Sequence, residues 1–70
     1  MEKVQINTEY IKLDQFLKWA GACDNGANAK VFILDGAVKV NGIVEIQRGK
    51  KLRNGDIVEL ENQTFEVVQE

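Results

Sequence analysis

GAVKVNG, residues 36–42, is the segment in which the hydrophobic pattern of the chain changes from a helical period to a strand period. Its two valines alternate with Lys39, and Asn41-Gly42 provides the positive φ values that a two-residue hairpin turn requires. Apolar residues resume directly after the turn, at Ile43, Val44 and Ile46. The segment therefore predicts a β-hairpin, and it is the strongest local signal in the chain.

Two short helices are predicted before the hairpin. The first helix carries an apolar stripe with i, i+3, i+4 and i+7 spacing, and it ends at Gly21. The stripe consists of Leu13, Phe16, Leu17 and Ala20. The second begins near Asn25 or Gly26 and ends at Gly36, a residue type that readily adopts the left-handed conformation after a helix. Its apolar face is formed by Ala29, Phe32 and Ile33. A tight turn must therefore join the two helices.

Strands are predicted on both sides of this helix pair. After the hairpin, Asn54-Gly55 marks a turn before a strand at residues 56–60, and Asn62-Gln63 separates it from a strand at residues 65–68. Alternation at residues 4–6 is expected to add an N-terminal edge strand. The order of elements predicts an α+β fold, in which two short helices pack on a small antiparallel sheet.

The length and composition indicate one small domain over residues 1–70. A domain of this size buries about 60% of the surface that its unfolded chain exposes, so a deep substrate cavity is not expected. The chain has no His, no Ser and no Pro, and Cys23 is its only cysteine. Ser-His and Cys-His nucleophile pairs, and zinc sites with several His or Cys ligands, are therefore excluded. We expect a protein that is not an enzyme and that uses no cofactor and no metal.

The single cysteine and the lack of long apolar runs predict the compartment. One cysteine allows no intrachain disulfide, although secreted domains of this size commonly depend on disulfides. No run reaches the length of a signal-peptide core or of a membrane-spanning helix. We therefore expect a cytoplasmic monomer with no membrane partner.

The formal net charge of -2 conceals a division along the chain. Residues 12–53 contain eight basic side chains against four acidic ones, whereas the remaining residues contain one lysine against seven acidic side chains. A polyanion responds to the local potential, which salt screens over about 8–10 Å. The basic segment is thus able to bind a polyanion, although composition alone favours ordinary solvated side chains.

Residues 11–42 read IKLDQFLKWAGACDNGANAKVFILDGAVKVNG, and KLRNGDIVEL follows at residues 51–60. Together these segments resemble the RNA-binding domain of the small-subunit ribosomal protein four type, the S-four or αL domain. The elements that carry the resemblance occur in the family's order, as Lys12-Leu13-Asp14, Ala29-Lys30, the glycine-to-glycine segment 36–42, and Gly55-Asp56. The match spans about residues 11–60, and the likeness is to the short stand-alone bacterial members.

The resemblance implies RNA contacts at three lysines, which are Lys12, Lys30 and Lys39. Many members of the family carry Ser-Arg at the start of the second helix, where this chain has the uncharged residues 25–28. Either the affinity is reduced there, or the backbone N–H groups of Gly26 and Ala27 make the contact. The connection after the hairpin is expected to extend the same surface with Arg48, Lys50, Lys51 and Arg53.

The function implied by the resemblance is non-catalytic binding of structured RNA through its shape and phosphates. Ribosomal RNA or a ribosome assembly intermediate is the expected target, and the ribosomal particle is a further expected partner. A protein-interaction adaptor that retains the fold with weak RNA binding is the alternative. It is favoured by the missing arginine of the second helix and by the acidic C-terminal third.

Five other positions have competing interpretations. Phe16 belongs to the apolar stripe and is expected in the core, whereas Trp19 lies off the stripe, so stacking on a base and packing at the sheet edge are both open. Cys23 is expected to be a small turn residue, and Asn25 to cap the second helix. Asp56 is expected to begin a strand and not to act as an acid catalyst.

Overall fold

The computed structural model describes all residues, 1–70, and contains two helices and seven strands. The chain begins with two strands, β1 (Glu2–Ile6) and β2 (Ile11–Lys12). The helices α1 (Leu13–Trp19) and α2 (Gly26–Leu34) follow. The remaining strands are β3 (Val38–Val40), β4 (Ile43–Val44), β5 (Lys51–Leu52), β6 (Ile57–Leu60) and β7 (Gln63–Gln69). The predicted α+β fold class is confirmed.

Five strands form the main sheet in the order β1-β7-β6-β3-β4, and β2 and β5 form a separate pair. The N-terminal strand lies at an edge of the sheet, as predicted, but it runs parallel to β7. The other three pairings of this sheet are antiparallel, so the sheet is mixed and not purely antiparallel. Two strands that are joined by a tight turn run antiparallel to each other. The helices, and not a tight turn, separate β1 from the other strands, so β1 is able to run parallel to its partner.

The core lies between the helices and one face of the main sheet. Its 15 buried residues are all apolar, and they include Phe16 and Ile33 from the helices. Phe16 contacts Phe65 of β7 edge to face, with ring centroids 6.2 Å apart and an interplanar angle of 83°. Alternate residues of β1, β3, β6 and β7 point into this core, as the period of two predicts.

The ends of the helices follow local sequence signals. The side chain of Asn25 accepts a hydrogen bond of 2.9 Å from the backbone N–H of Asn28, so the predicted helix cap is confirmed. Gly36 has φ +77°, the left-handed value expected after a helix. Neither helix has the length and apolarity needed to span a membrane.

The two signature turns of the sequence hold each other in place. Asn41 has φ +54°, and its side chain donates to a carboxylate oxygen of Asp56 at 3.1 Å. The same side chain accepts from the backbone N–H of Ile57 at 2.9 Å, and the other Asp56 oxygen accepts from the N–H of Arg53 at 2.8 Å. Asp56 is therefore a structural residue at a strand start, as predicted.

Two details of the predicted strands are wrong. The β3–β4 hairpin is shorter than its apolar pattern, since β4 ends at Val44 and Ile46 is 59% exposed. The turn between β6 and β7 is Glu61-Asn62 and not Asn62-Gln63, because Leu60 pairs directly with Gln63. Glu61 adopts φ +57°, a conformation that residue type alone does not predict.

Candidate nucleic-acid interface

The short pair β2–β5, which the sequence did not predict, assembles five of the predicted RNA contacts. Lys12 of β2 lies directly opposite Lys51 of β5, and Ile11 lies opposite Leu52. Leu52 is buried, so the alternating lysines face solvent. We call the basic residues of this region the basic strip, which consists of Lys12, Arg48, Lys50, Lys51 and Arg53.

The backbone of the strip caps helix α1. The N–H of Leu13 donates to the carbonyl of Lys50 at 2.8 Å, and the N–H of Asp14 donates to the carbonyl of Arg48 at 3.1 Å. These bonds satisfy N–H groups that the first turn of a helix otherwise leaves without partners. The connection after the hairpin is thus fixed against α1, whereas its basic side chains remain exposed.

The placement of Lys12 is expected to lower the stability of the isolated fold. Lys12 is the N-cap residue of α1 and makes no capping bond through its side chain, so its charge lies at the positive end of the helix. Side chains directly opposite in an antiparallel pair have Cβ atoms about 4.5–5.5 Å apart, and like charges there repel. The one ion pair of the structure joins Arg53 to Glu9, so neither Lys12 nor Lys51 forms a salt bridge. Two uncompensated cations at this spacing suit a phosphate chain.

Tyr10 joins the strip through its ring. The ammonium nitrogen of Lys51 lies 4.8 Å from the centroid of the Tyr10 ring, and the guanidinium carbon of Arg53 lies 5.6 Å from it. Arg53 also contacts Glu9, with Nη1 and Oε1 3.6 Å apart and both side chains mostly exposed. Sequence reasoning missed Tyr10, because both of its cationic neighbours come from a distant part of the chain.

The other predicted contacts lie outside the strip. Lys30 is on the exposed side of α2, and Gly26 and Ala27 form its first turn. Lys39 points away from the core, between the two buried valines of β3, and it lies opposite Glu59 of β6. No strand pairing or hydrogen bond connects these four residues to the strip.

Cys23 is buried in the turn before α2, as expected of a small turn residue. Burial, followed by the negative charges of Asp24 and Glu61, raises the pKa of the Cys23 thiol. The thiol is therefore poorly suited to nucleophilic chemistry. The same two carboxylates place negative charge near the start of α2, which weakens the attraction of Gly26 for a phosphate.

Trp19 at the end of α1 packs at the sheet edge, which is one of the two roles that the sequence left open. Its indole N–H donates to the backbone carbonyl of Gln5 at 3.0 Å, which fixes the side chain against the edge strand β1. The residue nevertheless remains 64% exposed. A cavity of about 440 Å³ lies beside it and is bordered by residues 6–12 and by Gln15 of α1.

Comparisons with known proteins find relatives that match most of the chain. The model of a family described as "S4 domain" matches residues 4–68. The probable ribosome maturation protein RlbA of Bacillus subtilis is 44% identical over 66 residues, which cover 93% of each chain. YbcJ of Escherichia coli is 36% identical over 59 residues, which cover 84% of each chain.

Two solved structures have the same fold. The solution structure of YbcJ, which was described as revealing an αL motif involved in RNA binding, has a TM-score of 0.75 and 32% identity. The alignment covers 97% of this chain and 87% of YbcJ. The ribosomal protein S4e of Thermoplasma acidophilum has a TM-score of 0.65 at 17% identity, with 86% of this chain and 32% of that chain covered, so that likeness concerns the fold alone.

Proposed function

The chain belongs to the S4 domain family, and from this membership we propose that it is a non-catalytic protein that binds structured RNA. The observation that carries the proposal is the direct pairing of Lys12 with Lys51, in which neither cation has an acidic partner. A fold that needed these side chains only for solubility would gain stability by separating them. A polyanion that lies across both lysines removes their repulsion.

The relatives support a target connected with the ribosome. RlbA is named as a probable ribosome maturation protein, and YbcJ is named as a putative RNA-binding protein, whose structure was described as revealing an αL motif involved in RNA binding. We propose that this chain likewise binds ribosomal RNA or an assembly intermediate of the ribosome, as a monomer and in the cytoplasm. Its lack of a His or Ser side chain supports a role in binding and not in catalysis.

The basic strip is the proposed centre of the interface, and the other candidate residues form its periphery. Lys30, Gly26 and Ala27 of α2 are proposed as a second contact with the same RNA. Lys39 is proposed as the weakest contact, because Glu59 lies opposite it and offsets part of its charge. Replacing each lysine singly with Gln should therefore weaken binding most at Lys12 and Lys51 and least at Lys39.

A salt titration tests the central proposal. Binding of a ribosomal RNA fragment is measured by filter binding at several salt concentrations, for the wild type, Lys51→Gln and Lys3→Gln. Each phosphate neutralised contributes about 0.7–0.9 to the slope of log affinity against log salt, so Lys51→Gln should reduce the slope by about that amount. Lys3→Gln removes the same charge outside the strip, on β1, and should leave the slope unchanged. Equal slopes for both variants would exclude the strip as the interface.

One observation favours the adaptor as a second candidate function. The free edge strand β4 exposes Ile43 and Val44, which are 73% and 49% exposed, and Ile46, two residues after the end of β4, is 59% exposed. An exposed edge strand is a common site for pairing with another protein. If this edge were the functional surface, Ile43→Lys would abolish association with ribosomal particles while Lys51→Gln left it intact. The RNA proposal predicts the reverse result.

A further inference from the structure

The largest unexplained feature of the surface is the environment of Trp19. The three cavities of the structure have volumes of about 440, 400 and 270 Å³, and Trp19 lines all of them. The largest also borders Tyr10, Lys12 and Gln15. One exposed indole thus borders three cavities that share lining residues along the β1–β2 connection and α1, and we call this region the tryptophan groove.

Packing at the sheet edge explains the orientation of Trp19 but not its exposure. The bond of 3.0 Å to the Gln5 carbonyl uses the only polar atom of the indole, so the ring is held in one position. Trp19 is still 64% exposed, although the free energy of folding favours burial of so large an apolar surface. A fixed aromatic ring with accessible faces is suited to stacking on another flat ring.

The groove opens beside cations as well as aromatic rings. Tyr10, at 37% exposure, lies under Lys51 and Arg53, so the groove continues into the basic strip. Lys12 and Lys18 line the two larger cavities. Two carboxylates line the three cavities. The charge of Glu9 is offset by Arg53, and Glu70 lines only the smallest cavity. The combination of stacking surfaces with nearby ammonium groups fits a nucleotide, in which a flat base is attached to an anionic phosphate.

We propose that the tryptophan groove holds an unpaired nucleotide of the bound RNA, with its base stacked on Trp19 and its phosphate near Lys12. The proposal rests on the proposed function, since the paired part of the same RNA lies on the basic strip. It specifies the RNA further, as a helix with an unpaired base next to it. A blunt duplex occupies the strip and leaves the groove empty.

Trp19 is the only tryptophan of the chain, so its fluorescence reports on this groove alone. The probes are an RNA duplex with a single-stranded adenosine overhang and the same duplex with blunt ends. Both carry a distant dye whose anisotropy measures binding independently of tryptophan emission. The overhang duplex should bind more tightly and quench Trp19 emission at saturation. The blunt duplex should bind with little quenching.

Two variants separate stacking from structural support. Trp19→Phe and Trp19→Leu both lose the bond to Gln5, but only Trp19→Phe retains an aromatic face. Trp19→Leu should weaken binding of the overhang duplex by about 5- to 150-fold and leave the blunt duplex unaffected, whereas Trp19→Phe should retain most of the preference. Unchanged binding of the blunt duplex also verifies that the variants are folded.

The outcomes distinguish the two proposals. If both duplexes bind with equal affinity and Trp19→Leu changes neither, the groove does not hold a base, and the RNA-binding function is retained. If the overhang duplex quenches no more than the blunt one at saturation, stacking on Trp19 is likewise overturned. If neither duplex binds at any salt concentration, the proposed function fails and the groove proposal fails with it.

Discussion

At the residue scale, the family signature of this chain contains positions with a structural role and positions with a proposed role in RNA binding. Asn41 and Asp56 join two turns that lie 15 residues apart in sequence, and their hydrogen bonds are made entirely within the protein. The side chain of Lys12, in contrast, forms no salt bridge and no capping hydrogen bond within the protein. The side chain of Lys12 is therefore available for the RNA contact that we propose for it.

We expect the replacement of Asn41 to lower stability without changing the interface. Asn41→Ala removes two side-chain hydrogen bonds, which contribute about 1–3 kcal/mol together. It also places an alanine at a positive φ, where asparagine is better tolerated. Urea denaturation measures the loss. Asn41→Gly removes the same bonds without the backbone strain, so it should be less destabilising than Asn41→Ala, and the opposite order would contradict this account of the turn.

Cys23 gives the stability a dependence on alkaline pH. Because the pKa of the buried thiol is raised, the folded state retains its proton at a pH where the unfolded state loses it. The unfolded state then binds fewer protons, and the free energy of unfolding falls as the pH rises above about 8.5, the ordinary pKa of a thiol. Denaturation at several pH values should show this fall for the wild type.

Cys23→Ala is the control for this effect. The variant lacks the thiol, so its stability should decline less than that of the wild type over the same alkaline range. Alkylation by iodoacetamide provides a second measurement, since the folded protein should react more slowly than the urea-unfolded chain. Equal alkylation rates in the two states would show that the thiol is not protected.

At the element scale, the sequence predicted what is local. Periodicity and turn residues located α1, α2 and the β3–β4 hairpin, because each depends on neighbours a few positions away. The pair β2–β5 escaped prediction, because two-residue strands about 40 positions apart have no periodic pattern. Within the basic strip, Lys12 was predicted from the resemblance, and the other four residues were predicted from their positive charge in the connection after the hairpin. The geometry of the strip, however, depends on the β2–β5 pairing.

The β2–β5 pair implies that stability and binding oppose each other at Lys12. Lys12→Glu places an anion opposite Lys51 and at the positive end of α1, and together these changes should stabilise the fold by about 0.5–1.5 kcal/mol. The same change should weaken RNA binding, because it replaces a cation of the strip. Urea denaturation and filter binding measure the two effects.

Lys12→Gln is the matched control for the charge. It removes the repulsion without adding an attraction, so its stability should lie between those of the wild type and Lys12→Glu. A loss of stability in Lys12→Glu would mean that the lysine contributes to folding, and the main observation behind the proposed interface would then have a structural explanation.

At the scale of the whole molecule, the division of charge decides how an acidic protein binds a polyanion. The molecule measures 31 × 21 × 18 Å. At about 0.01 M salt the screening length is about 30 Å, so the RNA experiences the net charge of the entire protein, whereas at about 0.15 M it is about 8 Å. Only groups close to the strip then contribute.

Two glutamates test whether only charges near the basic strip contribute, because one lies within the shorter screening length of the strip and the other lies beyond it. Glu9 lies 3.6 Å from Arg53 and competes with the RNA for it. Glu61 lies beyond the far end of β6, about 15 Å from the Arg53–Asp56 turn at the usual rise of about 3.3 Å per residue.

Glu9→Gln and Glu61→Gln remove the same charge, and both should raise the affinity for a ribosomal RNA fragment at about 0.01 M salt. At about 0.15 M Glu9→Gln should raise the affinity more than Glu61→Gln does, since Glu61 is screened from the basic strip and lies near only the peripheral contact at Gly26. If Glu61→Gln raised the affinity as much as Glu9→Gln at the higher concentration, total charge and not the basic strip would govern binding. If Glu9→Gln had no effect at either concentration, Arg53 would not contact the RNA, and the interface would be confined to the lysines of β2 and β5.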